Sequence, residues 1–161
     1  MPGGSLLTWR VDLTRVLLIG RGPLPHPGQL HCSFPQLRTL HFAQALQTAG
    51  VSLRVLLLTD EDSRSGPSTG WTGQWSLREE GPGWLEAAEE ISSGADLLVS
   101  AGPYNPGRLA CLIAGERPVW ADIPGDPLAE NQALDAAVPD LTEERRAAAH
   151  SALLPVLCRA D

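Results

Sequence analysis

Residues 96–132, DLLVSAGPYNPGRLACLIAGERPVWADIPGDPLAENQ, read as strand, loop, helix, strand, loop, helix. Asp96–Ser100 centres on the apolar run Leu97, Leu98 and Val99, and Gly102-Pro103-Tyr104-Asn105 breaks it. Asn105 stands where an N-cap belongs, with Pro106 at the first helical position. A short polar side chain there accepts from unsatisfied N–H groups, and proline has no N–H to satisfy. The helix Pro106–Ala114 is expected to stop at Gly115. Pro118 opens a strand over Val119–Ile123, Pro124-Gly125 turns the chain, Asp126 caps, and Pro127 starts another helix. Two successive strands that each feed a capped helix imply a parallel α/β sheet. Their loops then lie together at the carboxyl ends of the strands, the edge where such sheets bind ligands.

Working outward, Arg15–Gly20 is a continuous apolar strand closed by Gly20-Arg21-Gly22-Pro23, as expected of a strand buried on both faces. A loop rich in Pro, Gly and His reaches Cys32. The pattern Ser33-x-x-Gln36 has capping-box form and opens a helix whose apolar stripe is Leu37, Leu40, Ala43 and Leu46, with Phe42 and Ala49 alongside. Gly50 ends it, and Arg54–Thr59 is a second parallel strand. Residues 15–59 therefore form a βαβ unit. Asp60–Gly83 is irregular, with Trp75–Arg78 offering one more short strand. Trp84–Ser92 is a helix with Trp84, Ala88 and Ile91 inward and Glu86, Glu89 and Glu90 outward. Past residue 132, a helix to Val138 and a last helix from Leu141 to about Leu154 are expected. The alternation predicts an α/β fold: a doubly wound, Rossmann-like parallel sheet with helices on both faces, incomplete at its C-terminal end.

Composition sets bounds. The 161 residues are one domain's worth, 1–161, and 43% hydrophobic content suffices for one core. A net charge of −7 argues against nucleic-acid binding, which needs a basic face. Cys32, Cys111 and Cys158 are odd in number and form no C-x-x-C, which favours a reduced, cytoplasmic setting. No stretch approaches the roughly 18 apolar residues of a membrane span.

Several chemistries can be weighed by spacing. Gly20-Arg21-Gly22 lacks the third small residue of a dinucleotide fingerprint, and the helix begins roughly a dozen residues too late for NAD or FAD. The loop instead presents Arg21, His26 and backbone N–H groups, or is a plain turn. Gly102-x-x-x-x-Gly107 has P-loop glycine spacing, but Arg108-Leu109 follows where Lys-Ser/Thr is required. His26, His31 and Cys32 have poor spacing for a metal, and no metal site is expected. A phosphoacceptor receiver domain is disfavoured, because Gly20-Arg21 replaces the acidic pair after its first strand. Asp122, Asp126 and Glu130 cluster beside a strand end. Asp126 and Glu130 are also explained as a helix cap and a first-turn acid. Asp122 closes an apolar strand, where a carboxylate is able to hold or deprotonate a sugar hydroxyl.

Val99–Pro106, Arg117–Asp122 and Gly125–Glu130 together resemble the N-terminal Rossmann-like domain of bacterial GT-B glycosyltransferases of the glycosyltransferase-4 type. Those enzymes close two such domains over a cleft and move a sugar from a nucleotide-sugar donor to an acceptor hydroxyl. The resemblance implies an acceptor side with Asp122 as catalytic residue and Tyr104, Asn105, Asp126 and Glu130 around the acceptor. It implies a donor-phosphate loop at Gly20, Gly22 and His26. It also implies a nucleotide-sugar co-substrate, no other cofactor, and a C-terminal donor domain or partner chain outside these residues. Nothing here resembles the D-x-D of GT-A enzymes, which fits a metal-independent reaction. The chain is thus expected to be the front part of a longer enzyme, inactive alone, with an open sheet edge prone to self-association. The alternative is a noncatalytic Rossmann-like ligand-binding or interaction domain.

Overall fold

The structure, a computed structural model, describes residues 14–25, 32–60, 73–79 and 81–123, with Ala147 and Val156. Five parallel strands form one open sheet: β1 (Arg15–Arg21), β2 (Ser52–Thr59), β3 (Gln74–Arg78), β4 (Leu97–Ser100) and β5 (Val119–Ala121). Their order is β3-β2-β1-β4-β5. The helices are α1 (Phe34–Thr48), α2 (Trp84–Ser92) and α3 (Asn105–Ile113). The doubly wound arrangement expected from the sequence is therefore the one observed, and Trp75–Arg78 does add a strand, paired with β2.

β1 lies at the centre because it is apolar at every interior position. Leu18 sits opposite Val55 on one side and Val99 on the other. The two-residue period of the strands sorts these side chains into two layers. Leu17, Ile19, Leu56, Leu58 and Leu98 pack with Ala88 of α2 and Leu109, Ala110 and Ile113 of α3. Val16, Leu18, Val55, Leu57 and Val99 face the other way, toward Ala43, Leu40, Phe42 and Leu46 of α1. Each fully buried leucine contributes about 2 kcal/mol, so these runs fix strand identity despite the short strand lengths.

α1 turns out differently from its expected stripe. Leu37 and Ala49 are exposed, and the residues fully inside are Thr39 and Ala43. The helix lies so close to β1 that a Cβ on Gly20 would fall 2.3 Å from Thr39 Oγ1. Thr39 Oγ1 accepts from Arg21 N–H at 3.0 Å and donates to the Pro35 carbonyl at 2.8 Å. A small polar residue therefore takes the innermost position, where counting apolar residues overlooks it. The Ser33 capping box forms as expected, with both reciprocal bonds present.

Three arginines tie the amino edge of the sheet. Arg15 pairs with Asp96 at 2.7 Å, across the starts of β1 and β4. Arg54 donates to the carbonyls of Ile91 and Ser93 at 2.9 and 2.8 Å, at the end of α2. Arg117 donates to Ser92 O at 2.6 Å and Ala114 O at 2.9 Å, so it bonds the C-terminal carbonyls of two helices. Those carbonyls have no partner within their own helices and carry the negative end of the helix dipole.

Two outcomes follow from this packing. Gly20→Ala forces α1 off β1 and is expected to cost about 2 kcal/mol in urea denaturation. Added to Thr39→Ala, it should cost less than the sum of the two single changes, because Thr39→Ala removes the two nearest obstructing atoms, Oγ1 and Cγ2. Asp96 is held at about 2, down from 3.8, by hydrogen bonds from the Arg15 side chain and then its backbone N–H. The folded value lies below the unfolded one, so this stabilisation is present above about pH 4 and is lost as pH falls toward 2. Wild type should melt above Asp96→Asn at neutral pH and the gap should close by about pH 2; a gap that ignores pH would contradict the assignment.

Candidate functional site

β1 leads to α1 on one face of the sheet, while the neighbouring β4 leads to α3 on the other. The chain therefore diverges between adjacent strands at their carboxyl ends, and a crevice opens there. A cavity of about 630 Å³ occupies this place, lined by Arg21, Phe34, Pro35, Arg38 and the continuous segment Ala101–Pro106. Its size is that of a small-molecule site.

One wall is the β4–α3 loop. Ala101 N–H donates to Ile19 O at 2.8 Å, which prolongs the ladder to β1 by one residue. Gly102 then takes φ +120°, a conformation that favours glycine, and the chain turns away. The N-cap of α3 is Tyr104, with no side-chain capping bond, and Arg108 N–H makes a helical bond to Tyr104 O at 2.8 Å. This corrects the expected Asn105 cap: Asn105 is already helical, and Pro106 is second in the helix. Tyr104 and Asn105 both line the cavity, beside the first turn of α3.

The opposite wall is the first turn of α1. Gln36 completes the capping box and also donates to Gly22 O at 3.2 Å, so it fastens the first loop to the helix start. Arg38 follows one turn after Phe34. Its guanidinium donates from both Nε and Nη2 to the two carboxylate oxygens of Asp122, the Nη2 bond measuring 2.6 Å. It also lies 5.7 Å from the Phe34 ring centroid and 5.8 Å from that of Phe42, within cation–π range. Phe42 meets Trp120 of β5 edge to face at 6.0 Å. The hydrogen bonds that Arg38 donates to Asp122 raise its pKa above the ordinary value. At the far end of the cavity, Arg21 Nη1 reaches Glu79 Oε2 at 2.5 Å and Asp60 Oδ1 at 3.3 Å.

The expected site residues separate on this geometry. Tyr104 and Asn105 are on the cavity wall. Asp122 follows β5, its N–H bonded to Ser100 O at 3.0 Å, and it stands behind Arg38 rather than on the wall. Gly20 and Gly22 do not line the cavity either. A Cβ on Gly22 would fall 2.8 Å from Leu57 Cβ, and its N–H donates to Leu58 O at 2.9 Å. Close packing thus accounts for both glycines. His26, Asp126 and Glu130 lie outside the described residues. Sequence reasoning missed Phe34 and Arg38. The signal was the four-residue spacing of Phe34, Arg38 and Phe42, which sets an arginine between two rings on one helix face.

Among the described residues, no group of three or more His, Cys, Asp or Glu is arranged to hold a metal ion, and no helix is long and apolar enough to cross a membrane. Compared with family models, with curated proteins and with solved structures, the chain matches none.

The Arg38–Asp122 pair is partly exposed and bidentate. A double-mutant cycle of Arg38→Ala and Asp122→Ala should give a coupling of roughly 1–2 kcal/mol in chemical denaturation. Additive effects would show that the two side chains do not act together.

Proposed function

We propose that this chain is the acceptor-side Rossmann-like half of a GT-B glycosyltransferase, with a nucleotide-sugar donor carried by a second domain or partner chain. The carrying observation is the place of the cavity. It opens at the fork of β1 and β4, and its longest continuous wall is Ala101–Pro106, part of the segment on which the family resemblance rests. A crevice at such a fork is where open parallel sheets hold ligands. Tyr104 and Asn105 offer hydroxyl and amide groups suited to sugar hydroxyls.

Asp122 takes a supporting part in this reading. Its two oxygens accept from Arg38, which keeps the guanidinium at the wall. Among the described residues the wall carries no carboxylate or imidazole. That supports a domain that positions an acceptor while bond-making groups come from elsewhere. The same observation favours the second reading, a ligand-binding domain without chemistry.

Titration of the ¹⁵N-labelled chain with simple glycosides should move the amides of 21, 34, 36–38, 101, 102, 104, 105, 107 and 108, and Tyr104→Ala should weaken binding by roughly tenfold. NAD and FMN should move none of them. The chain alone should release no nucleoside diphosphate from UDP-, GDP- or ADP-sugars. Shifts with FMN or NAD but with no glycoside would overturn the proposal, and turnover by the chain alone would remove both the binding-only reading and the need for a second domain.

A further inference from the structure

Both guanidiniums on the cavity wall arrive with their counter-charges. Asp122 occupies Nε and Nη2 of Arg38, while Glu79 and Asp60 share Nη1 of Arg21. Three carboxylates thus contact two cations, and this group presents no net positive charge to a ligand. A phosphate brought to the wall would lose hydration, and the carboxylates behind the guanidiniums would offset its attraction to them. Anion sites work differently, with guanidinium forks available for bidentate contacts.

What the wall does offer is apolar surface. Pro35, Pro103, Pro106 and Ala101 contribute to it, and Phe34 stands on it with 63% of its area exposed. The Arg38 guanidinium lies 5.7 Å from the Phe34 ring centroid and is itself bonded to Asp122 and 5.8 Å from the Phe42 ring. An exposed ring backed by a cation provides a flat apolar face that another ring or an alkyl chain is able to cover. Asn105 and Tyr104 stand on the same cavity, so hydroxyl-binding groups and an aromatic face serve one ligand.

We infer that the cavity takes an uncharged glycoside bearing an aryl or alkyl aglycone, with its hydroxyls beside Asn105 and Tyr104 and its aglycone against Phe34, and that it selects against phosphorylated sugars. This rests on the acceptor reading and narrows it to one acceptor class.

Calorimetric titration of the full chain with matched sets of phenyl glycosides, methyl glycosides and sugar phosphates (gluco, galacto and manno) tests it. At least one phenyl glycoside should bind about tenfold more tightly than its methyl counterpart, with its affinity unchanged from low to high salt. The matching sugar phosphate should bind no more tightly than the methyl glycoside. Phe34→Ala, at an exposed position that does not threaten folding, should bring the phenyl-to-methyl ratio close to one. A sugar phosphate that binds best and weakens with salt would overturn this acceptor class and leave the acceptor reading standing. Equal phenyl and methyl affinities, or a ratio that Phe34→Ala leaves intact, would do the same. Failure of every glycoside and sugar phosphate to bind would overturn both.

Discussion

The approach of Thr39 to Gly20 governs how the upper half of this domain is assembled. Only a residue without a side chain lets α1 come this near the carboxyl end of β1, and only a small residue fits opposite it. The Thr39 hydroxyl satisfies the Arg21 N–H at the point where β1 ends, so the contact is hydrogen-bonded as well as close. A helix placed there carries Phe34 and Arg38 to the mouth of the crevice. Asp122 then lies within reach, although it follows the strand at the far edge of the sheet. Seated further out, α1 would leave both the crevice wall and the ion pair unformed.

Arg38 joins parts of the chain that are otherwise separate. It connects α1 to the end of β5 through Asp122, and it fills the space between two rings on its own helix. Arg21 does similar work at the opposite end of the crevice, linking β1 to the ends of β2 and β3. Arg21 and Arg38, both on the crevice wall, thus tie the ends of β1, β2, β3 and β5 together, each with a carboxylate in contact. Such pairing leaves neither of these half-buried guanidiniums without a counter-charge.

Much of the fold was legible in the residues because apolar runs and breakers are local signals. Arg15–Gly20 and Asp96–Ser100 read as strands from their apolar runs, and Trp84–Ser92 shows its helical face in the positions of its three glutamates. Ser33 and Gln36 announced the start of α1 through chemistry only three residues apart. The site was less legible because its decisive contact spans 84 positions, from Arg38 to Asp122. No local pattern marks such a pair until the sheet order is known. Asn105 misled for a related reason: its residue type suits a cap, but the ladder from β4 extends through Ala101 and helix α3 begins one residue earlier than composition suggests. Thr39 was passed over because periodicity rewards apolar residues, and its burial is a matter of clearance.

The arginines at the opposite edge of the sheet bear on how this scaffold can be reshaped. Arg54 and Arg117 gather the tail ends of α2 and α3, and Arg15 joins two strand starts, all at a distance from the crevice. The amino end of the sheet is therefore tied together without using any residue of the crevice wall. A protein engineer seeking a new pocket would recut residues 101–106 and the opening turn of α1, and would leave that trio untouched as the anchorage against which any new loop is grafted.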